Sequence, residues 1–221
     1  MPIKVAIFGD SQATALFMNR PASLAASLNL TDASISACGI MTGLVMSRSG
    51  ERFDLASACP NWLTTWRANA QKAKPDIALV VIGAWDLFDV QTAQGKLTFR
   101  SPDWESLFLT NLRSGLAAIR ESGAQIALAD LPCYRPRTTN PRPPGYWPER
   151  GDDDRTRYVN DLLHRLADGV HIITVAPAAA FCTDPAVGDN KSNRYDGVHY
   201  LRPGAAIYFD AIVPQLLVLP S

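Results

Sequence analysis

The stretch IKVAIFGDS, residues 3–11, joins an apolar run to a small polar triplet near the start of the chain. Residues 3–8 are too few for a helix and stop at a glycine, which predicts a short buried strand. Gly9-Asp10-Ser11 then predicts a tight turn after that strand. In parallel α/β sheets the carboxyl ends of the strands face the ligand crevice, so this turn is a place where Ser11 could meet a substrate.

Strands and helices alternate along the rest of the chain. The continuous apolar run DIALVVIG at 76–83 is typical of a parallel strand that is covered on both faces. Further strands are predicted at 33–37, 124–132 and 170–177, and helices at 61–73, 102–122, 152–167 and 203–217, with helix-like spacing over 13–30 that is interrupted at Pro21. This order predicts one domain, residues 1–221, built as an α/β/α sandwich of three layers around a parallel sheet of about five strands.

One segment, PCYRPRTTNPRPPGYWPERG at 132–151, breaks the alternation. Its many prolines exclude a regular helix or a central strand, so a long surface loop is predicted. A passive connection is favoured over a loop that covers substrate, and both interpretations stay open.

The composition is that of a globular protein with no preferred charged partner. Of the 221 residues, 47% are apolar and 19% are charged, and 21 Lys and Arg balance 21 Asp and Glu. This balance indicates neither a nucleic acid nor a membrane surface as a partner. The strand predicted directly after Lys4 leaves no room for a signal peptide, so the chain as written predicts a cytoplasmic protein. An excised extracytoplasmic domain is the alternative.

The four cysteines, at positions 38, 59, 133 and 182, form no C-x-x-C pair, and only three histidines accompany them. A structural zinc site is therefore not predicted, and neither is any other metal or cofactor. In the cytoplasm the cysteines would be buried reduced thiols, whereas an exported domain would form two disulfides.

Residues able to perform acyl transfer follow several of the predicted strands. A serine hydroxyl needs a base to accept its proton, and His199 can act as that base near neutral pH. Asp196, three residues earlier, can hold the imidazole in the required tautomer. The backbone amides of Ser11 and Gly39 can stabilise an oxyanion, and Gly39 has no side chain to obstruct them.

Four motifs together resemble the sequence blocks of the SGNH (GDSL-type) hydrolases, and the resemblance spans the whole chain. They are Gly9-Asp10-Ser11, Gly39, Gly83-Ala84-Trp85-Asp86 and Asp196-Gly197-Val198-His199. The resemblance implies a flavodoxin-like fold without a cofactor. It also implies Ser11 as nucleophile, His199 as base, Asp196 as orienting acid, and the Ser11 and Gly39 amides as oxyanion donors. The chain has no Gly-x-Ser-x-Gly motif, which argues against a standard α/β-hydrolase.

The third block departs from the family pattern, because Trp85 stands where these hydrolases usually have an asparagine that donates to the oxyanion. Either the indole N–H replaces that donor or Trp85 forms a pocket wall. Asp86 is interpreted as a hydrogen-bonding residue at a strand end. The residues that could line a substrate pocket are Asp10, Trp85, Asp86, Tyr134 and Tyr195.

Further motifs, at 38–40 (CGI), 131–134 (LPCY) and 196–205 (DGVHYLRPGA), are similar to those of SGNH domains fused to integral-membrane acyltransferases that O-acetylate surface sugars. This resemblance implies the disulfides Cys38–Cys59 and Cys133–Cys182 and a membrane acyltransferase as a possible partner.

The predicted function is a serine-dependent esterase for O-acyl groups, acetyl in the first instance, on a carbohydrate or glycosylated small molecule. An O-acyltransferase with the same triad is the first alternative. A carbohydrate-binding domain with little turnover is the second. The oligomeric state is not predicted.

Overall fold

The protein is described here from a computed structural model, over residues 1–136, 147–167, 172–176 and 179–219. The strands are β1 (Ile3–Gly9), β2 (Leu28–Asp32), β3 (Leu44–Met46), β4 (Arg52–Asp54), β5 (Ile77–Val81), β6 (Asp89–Thr92), β7 (Gly95–Leu97), β8 (Gln125–Ala129) and β9 (Ile173–Val175). The α-helices are α1 (Ser11–Met18), α2 (Leu55–Ala58), α3 (Trp62–Ala73), α4 (Pro102–Arg120), α5 (Asp153–Ala167), α6 (Ala179–Thr183), α7 (Pro185–Gly188) and α8 (Arg202–Leu216). Short 3₁₀ helices span Ala22–Ala26 and Pro148–Gly151.

The central sheet has the strand order β2-β1-β5-β8-β9, and all of its pairings are parallel. Side chains alternate across β1: Ala6 and Phe8 join the core beneath α3, α4 and α5, whereas Val5 and Ile7 join the core beneath α1 and α8. Helices therefore cover both faces of the sheet, and the predicted α/β/α sandwich of three layers is confirmed.

Local sequence determines where the longer helices begin and end, as α4 shows. The Ser101 hydroxyl accepts a hydrogen bond from the Trp104 amide at 3.3 Å, and Pro102 occupies the first turn. A serine cap followed by proline is a favoured start, because the first amides of a helix lack partners within it. Gly123 follows the helix with a φ of +86°, a conformation that suits glycine.

The predicted second strand, 33–37, is wrong in position. The edge strand is β2, which pairs with β1 from Ile3↔Leu28 to Ile7↔Asp32. Only one of its residues is buried, so β2 lacks the apolar run that marks a covered strand. The segment at 33–37 forms no strand, although Ala33 and Ile35 donate backbone hydrogen bonds to the end of β1.

A second, antiparallel sheet of order β4-β3-β6-β7 was not predicted from the sequence. Its strands have only three or four residues each, too few for a two-residue alternation to be recognised. Val45 and Val90 of this sheet belong to the same core cluster as Phe8 and Trp104. The small sheet is therefore packed onto the α3–α4 side of the sandwich.

Both predicted disulfides, Cys38–Cys59 and Cys133–Cys182, are formed. The pairing implied by the acyltransferase-associated domains is confirmed, and the expectation of four reduced thiols is wrong. Each bond anchors a segment that carries a predicted site residue, because Cys38 directly precedes Gly39 and Cys133 directly precedes Tyr134. No helix in the described part of the chain is long and apolar enough to span a membrane.

Part of the predicted long loop at 132–151, residues 137–146, lies outside the described residues. The end of this segment is not a surface loop, because Trp147, Glu149 and Arg150 are all buried. The Glu149 carboxylate accepts hydrogen bonds from the Ser47 hydroxyl at 2.7 Å and from the Arg48 amide at 2.6 Å. These bonds fasten the 3₁₀ helix at 148–151 to the turn after β3.

Candidate active site

Ser11 is the first residue of α1 and follows β1 through a turn at Gly9 and Asp10. Gly9 has a φ of +141°, and a Cβ at this position would lie 1.7 Å from the Val81 carbonyl oxygen. Asp10 caps α1, because its Oδ1 accepts a hydrogen bond from the Gln12 amide at 2.8 Å. The turn therefore places Ser11 at the carboxyl edge of the central sheet, as predicted for an α/β ligand crevice.

Ser11, His199 and Asp196 form a continuous chain of hydrogen bonds. The Ser11 Oγ lies 2.7 Å from His199 Nε2, and His199 Nδ1 lies 2.6 Å from Asp196 Oδ2. The other carboxylate oxygen of Asp196 accepts the amides of Val198 at 2.9 Å and His199 at 2.8 Å. The arrangement can transfer the serine proton to the imidazole while the carboxylate orients the ring.

The environment of Asp196 favours its ionised form. Burial alone would raise the pKa of Asp196. The hydrogen bond and charge of His199, together with the amides of His199 and Val198, outweigh burial and lower the pKa from 3.8 to about 2. A carboxylate that stays ionised at neutral pH can stabilise the imidazolium formed when His199 accepts a proton.

Gly39 lies in a loop that packs directly against the segment after β5. A Cβ on Gly39 would be 2.7 Å from Asp86 Oδ1 and 2.8 Å from Trp85 Cβ, so a side chain has no room here. The loop is held by Asp86 Oδ1, which accepts the amides of Ile40 at 2.9 Å and Met41 at 3.0 Å. Within the described residues the Ser11 and Gly39 amides make no hydrogen bond, so both remain available as donors.

Trp85 forms one side of an aromatic cluster beside the Gly39 loop. Its ring stacks on Phe53 of the small sheet at 4.4 Å and meets Trp147 edge-on at 5.3 Å. The Arg150 guanidinium lies over the same ring, 4.3 Å from its centre. This packing holds the indole as a wall, while the indole N–H makes no hydrogen bond to the described part of the chain.

Three of the five residues predicted to line a substrate pocket lie behind it instead. Asp10, Asp86 and Tyr134 are each 0% exposed, so they support the site from the core and do not form its surface. The Tyr134 hydroxyl accepts a hydrogen bond from Gln12 Nε2 at 2.7 Å. Trp85 is partly exposed, and Tyr195 is 52% exposed with its ring nearly parallel to that of His199.

Asp86 accepts hydrogen bonds after the end of β5, as its sequence position suggested. Its burial also makes the stability of the protein depend on pH. Burial, with a contribution from the nearby charge of Asp10, raises the pKa of Asp86 from 3.8 to about 7 despite the amides that it accepts. A carboxyl whose pKa is higher in the folded state contributes stability below pH 3.8, and that contribution is lost as the pH rises through about 7.

We therefore expect Asp86→Asn to match the wild type in stability near pH 4 and to exceed it at pH 8 by up to about 4 kcal/mol, the free energy of such a pKa difference. Asparagine keeps an acceptor for the Ile40 and Met41 amides and cannot ionise. Urea unfolding at the two pH values measures the difference. An equal loss of stability at both would show that the charge on Asp86 is not what limits stability at high pH.

Sequence reasoning missed two buried arginines near the triad. Arg194 precedes Tyr195, is 0% exposed, and donates from Nη2 to the carbonyls of Cys133 at 2.8 Å and Gly188 at 3.1 Å. Arg150 donates from Nε to the Ala84 carbonyl at 2.7 Å. Neither stands in a recognisable motif, and the only signal for Arg150 was its place in an unusual proline-rich segment.

A groove of about 570 Å³ lies at the opposite edge of the central sheet, between Lys74, Asp76 and Gln125. The described residues that line it include no histidine or cysteine, so they offer no base of the kind found at Ser11.

Known structures share this fold over nearly the whole chain. An acylhydrolase structure from Bacteroides fragilis NCTC 9343 has 14% identity, covers 97% of this chain and 88% of its own, and has a TM-score of 0.63. The periplasmic domain of a lipopolysaccharide acetyltransferase from Salmonella ser. Paratyphi A has 15% identity, coverages of 98% and 84%, and a TM-score of 0.61. An acetylxylan esterase from Geobacillus stearothermophilus has 14% identity, coverages of 97% and 94%, and a TM-score of 0.59.

The chain therefore has an SGNH-type fold, and this fold brings Ser11, His199 and Asp196 into one chain of hydrogen bonds. Residues 4–142 match the family described as "Protein of unknown function (DUF459)", and the chain belongs to that family. A comparison with curated protein sequences found no match.

Proposed function

We propose that this protein cleaves O-acyl esters through an acyl-serine intermediate at Ser11. The observation that carries the proposal is the unbroken chain of hydrogen bonds from the Ser11 hydroxyl through His199 to Asp196. A serine in such a chain is an activated nucleophile, and this reaction needs no metal or cofactor.

The reaction begins when Ser11 Oγ attacks the ester carbonyl carbon while His199 Nε2 accepts the hydroxyl proton. A C–O bond forms, and the carbonyl π electrons move onto oxygen as an oxyanion. The intermediate collapses with cleavage of the ester C–O bond, and His199 protonates the departing alcohol. A water molecule, deprotonated by His199, then attacks the acyl-serine, and the acid leaves as Ser11 regains its proton.

For the substrate, we infer an acetyl ester on a carbohydrate or a glycosylated small molecule. Two proteins of similar fold are named for acetyl groups on polysaccharides, one as an acetylxylan esterase and the other as a lipopolysaccharide acetyltransferase. Tyr195, which is exposed and nearly parallel to the His199 ring, also presents a flat aromatic surface near the triad, as suits a ring-shaped substrate.

Acyl transfer to a sugar hydroxyl is the second candidate. It is favoured by the two disulfides, whose pairing was expected from SGNH domains fused to membrane acyltransferases, and by the similar fold of a periplasmic acetyltransferase domain. In this reaction the acceptor hydroxyl replaces water in the second half, and a membrane acyltransferase would supply the acyl group. A carbohydrate-binding domain with little turnover is less well supported, because a mere binding site does not require an aligned triad.

The disulfides also lead us to propose an extracytoplasmic location, since such bonds persist in oxidising compartments. Protein purified without reductant and then denatured is expected to show no thiol that reacts with a thiol reagent, and to show all four after reduction. Four reactive thiols before reduction would favour the cytoplasmic interpretation.

The experiment that tests the proposed function is incubation with 4-nitrophenyl acetate. We expect nitrophenol release, and mass spectrometry of a rapidly acid-quenched sample should find an acetyl group on the peptide containing Ser11. Adding sugars as acceptors then separates the two candidates: faster acyl-enzyme turnover with acetylated sugar as product supports transfer. No release and no adduct would favour the binding-domain alternative.

A further inference from the structure

Arg150 is a buried cation that lacks an anionic partner. Only 8% of its surface is exposed, and no carboxylate in the described part of the chain forms an ion pair with it. Its neighbour Glu149 is already bonded to Ser47 and Arg48. Charged side chains are almost never buried without a partner, because removing them from water is costly.

The side chain is nevertheless held firmly. Its Nε donates to the Ala84 carbonyl at 2.7 Å, and its guanidinium lies 4.3 Å from the centre of the Trp85 ring and 5.7 Å from those of Phe88 and Trp147. These contacts fix the plane of the guanidinium. They use neither Nη nitrogen, and within the described residues both Nη nitrogens have no hydrogen-bond partner.

The location of these free donors connects them with the triad. The carboxyls that attract the Arg150 charge include Asp10, directly before Ser11, and Asp196, the triad acid. Its hydrogen-bond acceptor, Ala84, directly precedes Trp85, whose Cβ lies against Gly39. These contacts place Arg150 on the Trp85 side of the site, where the charges of Asp10 and Asp196 act on it. By contrast, the unpartnered nitrogens of Arg194 are fully enclosed.

We propose that Arg150 is a third oxyanion donor, whose Nη groups bind the negatively charged carbonyl oxygen formed when Ser11 attacks the ester. This inference rests on the proposed acyl-serine reaction and names a further residue for it. Trp85 then has a definite part: in place of a donating side chain it offers a flat surface that positions a donor from a distant segment. A preorganised cationic donor binds the oxyanion more strongly than it binds the neutral carbonyl of the substrate, so it acts on kcat more than on KM.

Arg150→Gln and Arg150→Lys test the assignment with 4-nitrophenyl acetate, a neutral substrate. Loss of one oxyanion donor costs about 10²–10³-fold in kcat, and we expect this for Arg150→Gln with little change in KM. Arg155→Met is the matched control. Like Arg150, Arg155 donates to a backbone carbonyl, that of Leu87 at 2.5 Å, and lies over an aromatic ring, that of Phe99 at 4.3 Å. Unlike Arg150, it forms an ion pair, with Asp152. We expect this control to stay within about threefold of the wild type.

The lysine variant gives a readout that a structural role would not affect. Burial lowers the pKa of Arg150 from 12.5 to about 10, which leaves it charged at neutral pH. The same site should lower the pKa of a lysine, whose ordinary value is about 10.4. Arg150→Lys should therefore retain part of the activity at pH 7 and lose it as the pH rises to 9, while the wild type shows no such loss.

A boronic acid, which forms a tetrahedral anion on an active serine, should also bind Arg150→Gln about 10²–10³-fold more weakly than the wild type. If both variants match the wild type in kcat and in boronic acid affinity, the oxyanion role is overturned while the proposed function stands. It is also overturned if the loss is a KM effect seen only with mono-(4-nitrophenyl) succinate, because Arg150 would then bind a substrate carboxylate. A wild type that neither releases nitrophenol nor binds the boronic acid contradicts both proposals.

Discussion

Ser11→Ala and His199→Ala are each expected to lower kcat for an acetyl ester by about 10⁴–10⁶-fold, and the double variant is expected to lose no more than either alone. The nucleophile and its base act as one unit, because the Ser11 hydroxyl is reactive only while His199 can take its proton across the 2.7 Å hydrogen bond. Removing either group stops the same step. Initial rates of nitrophenol release, with thermal unfolding as a check on folding, give the comparison.

Asp196→Asn extends this prediction to the third residue. An amide can donate to His199 Nδ1 and thereby select the wrong tautomer, so we expect a loss of about 10⁴-fold. Ser36→Ala is the matched control, because Ser36 bonds Thr14 on α1 at 3.0 Å and has no part in the triad. Losses that simply multiply in the double variant would show that Ser11 and His199 act independently, which contradicts the triad.

Gly9→Ala is expected to cause a large loss of stability, more than about 4 kcal/mol, and to leave little folded protein. The φ of +141° is unfavourable for any residue with a side chain, and a Cβ would lie 1.7 Å from the Val81 carbonyl oxygen. The obstacle is backbone of the adjacent strand β5, which cannot move without disrupting the centre of the sheet. The yield of soluble protein and urea unfolding of any folded fraction measure the effect.

Gly95→Ala separates strain from collision. Gly95 has a φ of +136°, close to that of Gly9, but nothing lies within 4 Å of an added Cβ. We expect a cost of about 1–3 kcal/mol for the backbone conformation alone. If Gly9→Ala were no worse than Gly95→Ala, the close approach of β1 and β5 would not be what requires glycine at the start of the active-site turn.

The site combines groups from four separate segments of the chain. Ser11 depends on the turn after β1, and His199 depends on Asp196 within a short turn of its own. Gly39 depends on a loop that Asp86 holds through backbone amides and that begins beside the Cys38–Cys59 disulfide. Arg150 is carried by a fourth segment, fastened through Glu149 to the small antiparallel sheet.

Local pattern was sufficient for the elements that carry long apolar runs or helical spacing. The strand predicted at 76–83 corresponds to β5, because burial on both faces leaves a continuous apolar run in the sequence. The helix predicted at 102–122 corresponds to α4, because burial along one face leaves a helical period. It was insufficient for β2, an edge strand with one buried residue, and for the short strands of the small sheet. Their stability comes from neighbours distant in the chain, which a local window cannot include.

The sequence by itself determined the α/β/α class and the candidate triad of Ser11, Asp196 and His199, because each depends on short motifs at the ends of predicted strands. Only the tertiary structure decided which pocket residues are reachable: it buries Asp10, Asp86 and Tyr134 and leaves Tyr195 exposed. It also decided the position of Arg150, which meets Ala84 and Trp85 across more than sixty residues of chain. Burial and the pairing of distant charges depend on how separate segments pack, and no local pattern encodes that packing.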